Sequence, residues 1–288
     1  MVIFIKFIDK HIGNFICNFL GFFSKKRQIN NNEINKILAI QLWGIGETIL
    51  AIPAIEALRK RFPKSEISIL ATSRNKDVFF NNKNINHIFL LKLNSFSILK
   101  FILLNIKKYD LVIDMEEYLN VSAIISFFVG VRIIGYSHNS RAKLYTQKVR
   151  YNDKQHALQT FLDLVRFLGI RYDTEILPKL SFSKNDKRFV ENLLKKNGIK
   201  NNDFSICIAP GAAESAKSRM WPYDRYAELC DELTAKYDAK IIFVGAINES
   251  ELIENIQKNT DNKNKTINTA GKITLKQLFY LISKSKLF

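Results

Sequence analysis

From Lys36 onward the chain alternates short, fully apolar runs with stretches of helical periodicity, and this constrains its fold more than any other feature. Runs that are apolar at every position suit strands covered on both faces, as in parallel sheets layered between helices. The pattern predicts strands at 37–42, 67–71, 87–91, 111–114 and 131–134, and helices at 48–62, 96–106, 119–128 and 156–168. After a polar stretch at 183–202 a second series begins, with strands at 204–209 and 240–244 and helices at 223–237, 250–258 and 275–283. Two similar α/β halves are expected, at 33–182 and 183–288. In open sheets of this kind ligands sit beyond the carboxyl ends of the strands, so the loops after Leu42, Asp114, Ala209 and Val244 are where chemistry belongs.

Composition limits the chemistry. The three cysteines, Cys17, Cys207 and Cys230, and four scattered histidines match no disulfide framework and no zinc spacing, which suits a reducing cytoplasm. With 44 Lys and Arg against 27 Asp and Glu, the net charge of +17 calls for an anionic partner. No basic helix with base-reading spacing, zinc finger or aromatic RNA-binding strand is present, so nucleic acid is not the expected partner.

Residues 1–32 differ from the rest. Ile5, Ile8, Ile12, Phe15, Phe19 and Phe22 recur at helical spacing, while Lys6, Lys10, Asn14, Asn18, Gly21 and Lys25 fall on the opposite side. Charges interrupt the apolar run too early for a bilayer span, and no signal-peptide cleavage site follows. Lys25, Lys26 and Arg27 lie where headgroup phosphates would be, so the expectation is a helix on the surface of an anionic membrane. A helix packed on the protein's own body is the alternative.

Three loops carry unusual residues. Trp43-Gly44-Ile45-Gly46-Glu47-Thr48 is a glycine-bearing turn whose backbone N–H groups could receive an anion, or simply a tight turn. It is neither GxGxxG nor a Walker loop, which speaks against a nicotinamide enzyme and a P-loop hydrolase. Glu47 could act as general base or only complement the helix dipole. Between Ala209 and Pro222, the small residues Gly211, Ala212 and Ala213 precede Lys217 and Arg219, cations placed where a helix dipole would not favour them. In Gly245–Glu251 the spacing of Asn248 and Glu251 matches a capping box, leaving Glu249 freer for a ribose. The segment 131–154 holds six cations, Arg141 and Lys143 among them, against Asp153 alone. It suits a phosphorylated acceptor or is a solvated basic loop.

These residues together resemble glycosyltransferase family 9, the ADP-heptose:lipopolysaccharide heptosyltransferases and their relatives. The likeness covers about 35–288. It rests on the run from Ile37 to Thr48 with Pro53 to Arg59 and Phe62-Pro63, then Tyr109 to Asp114, Arg132 to Tyr136, Pro210 to Ala213 with Lys217 to Pro222, and Gly271 to Leu275. The resemblance implies a GT-B architecture: two Rossmann-like domains facing across a cleft, the first holding the acceptor and the second an ADP-sugar donor. It implies inverting, metal-independent transfer with Glu47 as base. Gly211, Ala212, Ala213, Lys217, Arg219 and Glu249 would serve the donor, and Gly44, Gly46, Arg141 and Lys143 a phosphorylated, lipid-linked acceptor at the inner face of the cytoplasmic membrane.

Two departures stand out. The family usually carries Asp at the position of Glu47, and the sequence stops at Phe288 before the family's Asp-Ser/Thr-Gly-x-x-His segment. The second domain is therefore expected to be incomplete, and a non-catalytic family member that keeps membrane or acceptor binding is the alternative reading.

Overall fold

The computed structural model describes residues 9–24, 34–200, 202–212 and 214–288. They form two compact units, Met1–Leu180 and Ser181–Phe288. In the first unit every apolar run predicted as a strand is one: β1 (Lys36–Ile40), β2 (Glu66–Ala71), β3 (His87–Leu90), β4 (Tyr109–Asp114) and β5 (Gly130–Tyr136). A sixth strand, β6 (Gln147–Val149), completes a sheet ordered β3-β2-β1-β4-β5-β6. All five pairings are parallel. This is the Rossmann order, with its crossover reversing between β1 and β4.

Helices cover both faces because the strands are apolar on both. On one face α2 (Ile45–Arg61) packs against a helix over Ala157–Arg166, and their side chains bury Ile37, Ile55, Leu58, Leu111 and Phe161. The opposite face carries α1 (Asn14–Gly21), α3 (Ser95–Leu104) and α4 (Asn120–Val129); the Ala157–Arg166 helix is α5. Leu38, Ile40, Val112, Ala123 and Ile133 form the core there.

The N-terminal helix docks in an unusual sense. Gly13 and Gly21 lie so close to the side chains of Asn120 and Lys143 that a Cβ on either would come within 2.7 and 2.8 Å of them. Cys17, between them at helical spacing, is fully buried, and burial pushes its thiol up to about 12. Small and polar side chains thus face the protein, while Ile12, Phe15, Phe19, Phe22 and Phe23 face outward. The Asp9 carboxylate accepts hydrogen bonds from the backbone N–H groups of Asn120 (2.8 Å) and Val121 (2.8 Å), capping α4 from more than a hundred residues away. Asn14 and Asn18 accept from Ser140 Oγ (2.5 Å) and Lys143 Nζ (2.8 Å). Ile5, Lys6, Ile8 and the cluster Lys25, Lys26 and Arg27 lie outside the described residues.

The second unit contains a parallel sheet, β7 (Ser205–Ile208), β8 (Lys240–Phe243) and β9 (Thr266–Asn268), in that order. It is wrapped by α6 (Lys184–Lys196), α7 (Tyr223–Tyr237), α8 (Ser250–Asn259) and α9 (Leu275–Lys284). The polar stretch after residue 183 is thus a helix. Ser183 and Asp186 close a capping box at its start, and only a thin apolar edge, Val190 and Leu194, reaches the core. The outer edge of β7 is partly engaged, because Cys207 N donates to Leu287 O (3.0 Å) and Lys286 N to Ser205 O (2.8 Å), a parallel bridge on the side away from β8. Both units are Rossmann-like sheet domains.

A buried cluster joins the first unit's parts. Asp114 Oδ2, at the end of β4, accepts from Arg141 Nη2 (2.7 Å), Tyr145 OH (2.7 Å) and Ser122 Oγ (2.9 Å). Burial alone would lower the affinity of Arg141 for its proton, yet the Asp114 charge holds it above the ordinary value. Replacing Arg141 with Ala strands a buried carboxylate, so stability should fall by about 3–5 kcal/mol. Urea denaturation should show this as a lower midpoint with an unchanged slope.

Candidate functional site

At the carboxyl ends of β1 and β4, where the strand order reverses, a cavity of about 700 Å³ opens. Its walls come from the two loops the fold rule singles out: Gln41, Trp43, Gly44 and Glu47 after β1, and Met115 to Leu119 after β4. A third wall comes from the polar edge of α1, Asn14 and Asn18, and from Asp9 and Lys10 on the turn that leads into it.

Glu47 sits in the first turn of α2, which begins three residues before its predicted start. Gly44 is the residue before the helix, and its carbonyl accepts from Thr48 N (3.1 Å) and Thr48 Oγ1 (2.6 Å). The Glu47 carboxylate folds back over Gly44 and occupies the space a Cβ would need. Nothing lies within 4 Å of a Cβ built on Gly46, so that glycine is not demanded by packing. The exposed Glu47 side chain is held at the cavity rim by backbone geometry.

Two carboxylates that sequence reasoning missed lie beside it. Glu116 Oε1 accepts from Leu42 N (2.5 Å) and Trp43 N (2.9 Å), pinning the loop that carries Gly44 and Glu47. Burial pushes its carboxyl up to about 7, opposed by those two N–H groups and reinforced by the Asp114 charge. Glu117 is raised too, first by burial and in part by the negative charge of Glu47. The loop after Asp114 was expected to matter, but an acid following an apolar strand carries no spacing signal of its own. Gln41 is 3% exposed, and its Oε1 has no partner among the described residues, leaving an acceptor on the cavity wall. The exposed ring of Tyr118, edge-on to His138 and Tyr151, provides an apolar face at the mouth.

Arg141 and Lys143 are placed differently from expectation. Arg141 is fully buried and directs its N–H groups to Asp114, Ser122 and Tyr145, so it is a core cation with no path to a phosphate outside. Lys143 is the seat of α1, through Gly21 and Asn18.

In the second unit the loops after β7, β8 and β9 converge. Gly271 N donates to Gly245 O (3.0 Å), and Gly271, at φ +69°, packs on Ile247. Glu249 accepts from Ala246 N (2.6 Å), and its carboxylate lies against both Gly211 and Gly245. The capping acid is therefore Glu249, which closes a short turn at Ile247–Glu249; Glu251, expected in that role, lies two residues further along, in the first turn of α8. Lys217 and Arg219 are exposed on a 3-10 turn, Glu214–Arg219, that follows Gly211 and Ala212. Ala213 lies outside the described residues. Among the described residues no three His, Cys, Asp or Glu side chains converge as a metal site. No described helix is long and apolar enough to cross a membrane.

Residues 102–288 match the model of glycosyltransferase family 9 (heptosyltransferase). No curated protein matches the chain. Among solved structures, a family 9 glycosyl transferase from Veillonella parvula superposes with a TM-score of 0.78 at 19% identity, covering 91% of this chain and 77% of that one. The E. coli ADP-heptose lps heptosyltransferase II gives 0.71 at 18% identity, covering 88% and 78%. E. coli heptosyltransferase WaaC with ADP-2-deoxy-2-fluoro heptose gives 0.63 at 14%, covering 88% and 81%.

Two outcomes follow from the first site. A methyl group at Gly44 takes the space of the Glu47 carboxylate, so Gly44→Ala should leave the melting temperature within a few degrees of wild type while swinging Glu47 away, visible in a crystal structure of the variant. Glu116 binds its proton more tightly folded than unfolded, so its contribution is complete below about pH 4.5 and is lost as pH rises through about 7. Between pH 4 and pH 8 the wild type should lose about 3 kcal/mol relative to Glu116→Gln, measured by urea denaturation at each pH.

Proposed function

The chain belongs to glycosyltransferase family 9, and on that premise we propose that it moves a heptose or related sugar from an ADP-activated donor to a phosphorylated, lipid-linked saccharide. The observation that carries this reading is the Glu47 carboxylate at the rim of a sugar-sized cavity at the switch point of the first sheet.

In this reading the acceptor saccharide enters that cavity. The Glu47 carboxylate removes the proton from the attacking hydroxyl, and the oxygen forms a bond to the anomeric carbon as the bond to the ADP oxygen breaks. The departing electron pair goes to the diphosphate, and the anomeric configuration inverts. Lys217 and Arg219, on the turn after Gly211, supply the positive charge that stabilises the leaving group. Glu116 acts by holding the β1–α2 loop, and with it Glu47, in place. Gln41 and Asn18, both on the cavity wall, offer neutral hydrogen bonds suited to sugar hydroxyls. The acceptor's lipid puts the reaction at the cytoplasmic face of the membrane.

The test is direct. Calorimetry of the full chain with ADP-heptose should show binding, and none at millimolar donor would overturn the proposal. Glu47→Gln should lower turnover by about 10²- to 10⁴-fold with donor affinity unchanged. Lys217→Ala and Arg219→Ala should each weaken donor binding by about ten- to a hundredfold, the cost of one charge-assisted hydrogen bond.

A further inference from the structure

The outer face of one helix layer is apolar where a soluble protein would be polar. In α1 the small and polar side chains are turned to the protein and the aromatic ones to solvent, Phe15 being 72% exposed and Phe22, just past the helix end, 87%. A helix that merely covers a core shows the reverse. Across the same face of the sheet α3 repeats the pattern with Phe96, Leu99, Leu103 and Leu104 exposed, followed by Ile106. The helix between them, α4, packs against both and contains no charged residue; its Ile124 and Phe128 are half-buried.

Charge identifies the occupant. The segment 92–108 holds Lys92, Lys100, Lys107 and Lys108 and no acid. Lys107 Nζ donates to Phe127 O and Gly130 O, so the cations offered to phosphates are Lys92, Lys100 and Lys108, with Lys10 on the π-helical turn that leads into α1. A second copy of a chain carrying +17 would bring like charges together, whereas an anionic bilayer offers hydrocarbon to the aromatic ridge and phosphates to its lysines. We propose that the α1–α4–α3 layer is a monotopic docking surface for an anionic phospholipid bilayer. The polar edge of α1 lines the acceptor cavity, so docking brings that cavity to within about one helix diameter, roughly 10 Å, of the lipid. The docking itself stands on the exposed layer; only the identity of the cavity's occupant rests on the transferase reading.

Vesicle sedimentation of the full chain tests this with phosphatidylglycerol–phosphatidylethanolamine vesicles against pure phosphatidylcholine. The wild type should partition to the anionic vesicles only, and less so in 0.5 M salt. Leu99→Ser/Leu103→Ser on α3 and Phe15→Ser/Phe19→Ser on α1 should each lower partition at least tenfold while far-ultraviolet circular dichroism and donor calorimetry stay unchanged. Lys100→Glu/Lys108→Glu, which leaves every apolar group in place, should do the same and guards against loss through misfolding. The proposal is overturned if the wild type ignores anionic vesicles or if the α3 variants bind as well as wild type. It fails equally if the wild type is a dimer that the ridge variants split into monomers. Donor binding is a separate readout, so loss of docking and loss of the transferase reading are distinguishable.

Discussion

Asp114 holds the first unit's working parts in register. Its Oδ2 draws Arg141, Tyr145 and Ser122 onto the end of β4, and its Oδ1 accepts from the backbone N–H of Glu116 (3.2 Å). Ser122 belongs to α4, and Arg141 and Tyr145 to the segment on which α1 rests. One buried carboxylate therefore fixes a strand end, a helix start and the seat of a second helix, the three structures that border the cavity. A charge this deep persists only with its partners in place, so their geometry is stringent.

From that anchor the site is built by backbone. Glu116 extends the same strand end and grips the N–H groups of Leu42 and Trp43, so the β1 and β4 loops move as one. Gly44 leaves room for Glu47 to lie over the turn it belongs to. The second unit uses the same device with different residues, Glu249 lying over Gly211 and Gly245. In both, a carboxylate close to glycine backbone sets the shape of a loop at the carboxyl edge of a parallel sheet.

Much of this was legible in the sequence because apolar runs and helical spacing are local signals. The helix over Tyr223–Tyr237 has its predicted limits, and the strands lie within a few residues of theirs. What escaped was set by distant partners. β6 and β9, three residues each, are too short to show a period and exist because a neighbour pairs with them. α6 exposes most of its surface, so its thin apolar edge reads as polar sequence. Arg141 looked like a surface cation because nothing near it in the chain announces Asp114, and Glu116 looked unremarkable because its partners are more than seventy residues away. The α1 periodicity was readable, but which side faced inward depended on the close approach at Gly13 and Gly21.

The seat of α1 has a consequence for how the protein is made. Asn120, Ser140 and Lys143, the groups that receive this helix, are synthesised more than a hundred residues after it. At ribosomal speeds of roughly 5–20 residues per second, the phenylalanine-rich segment waits on the order of ten seconds before its docking site emerges. During that interval it is an amphipathic peptide on a nascent chain, and under the docking proposal it would meet a lipid surface before the domain behind it has folded.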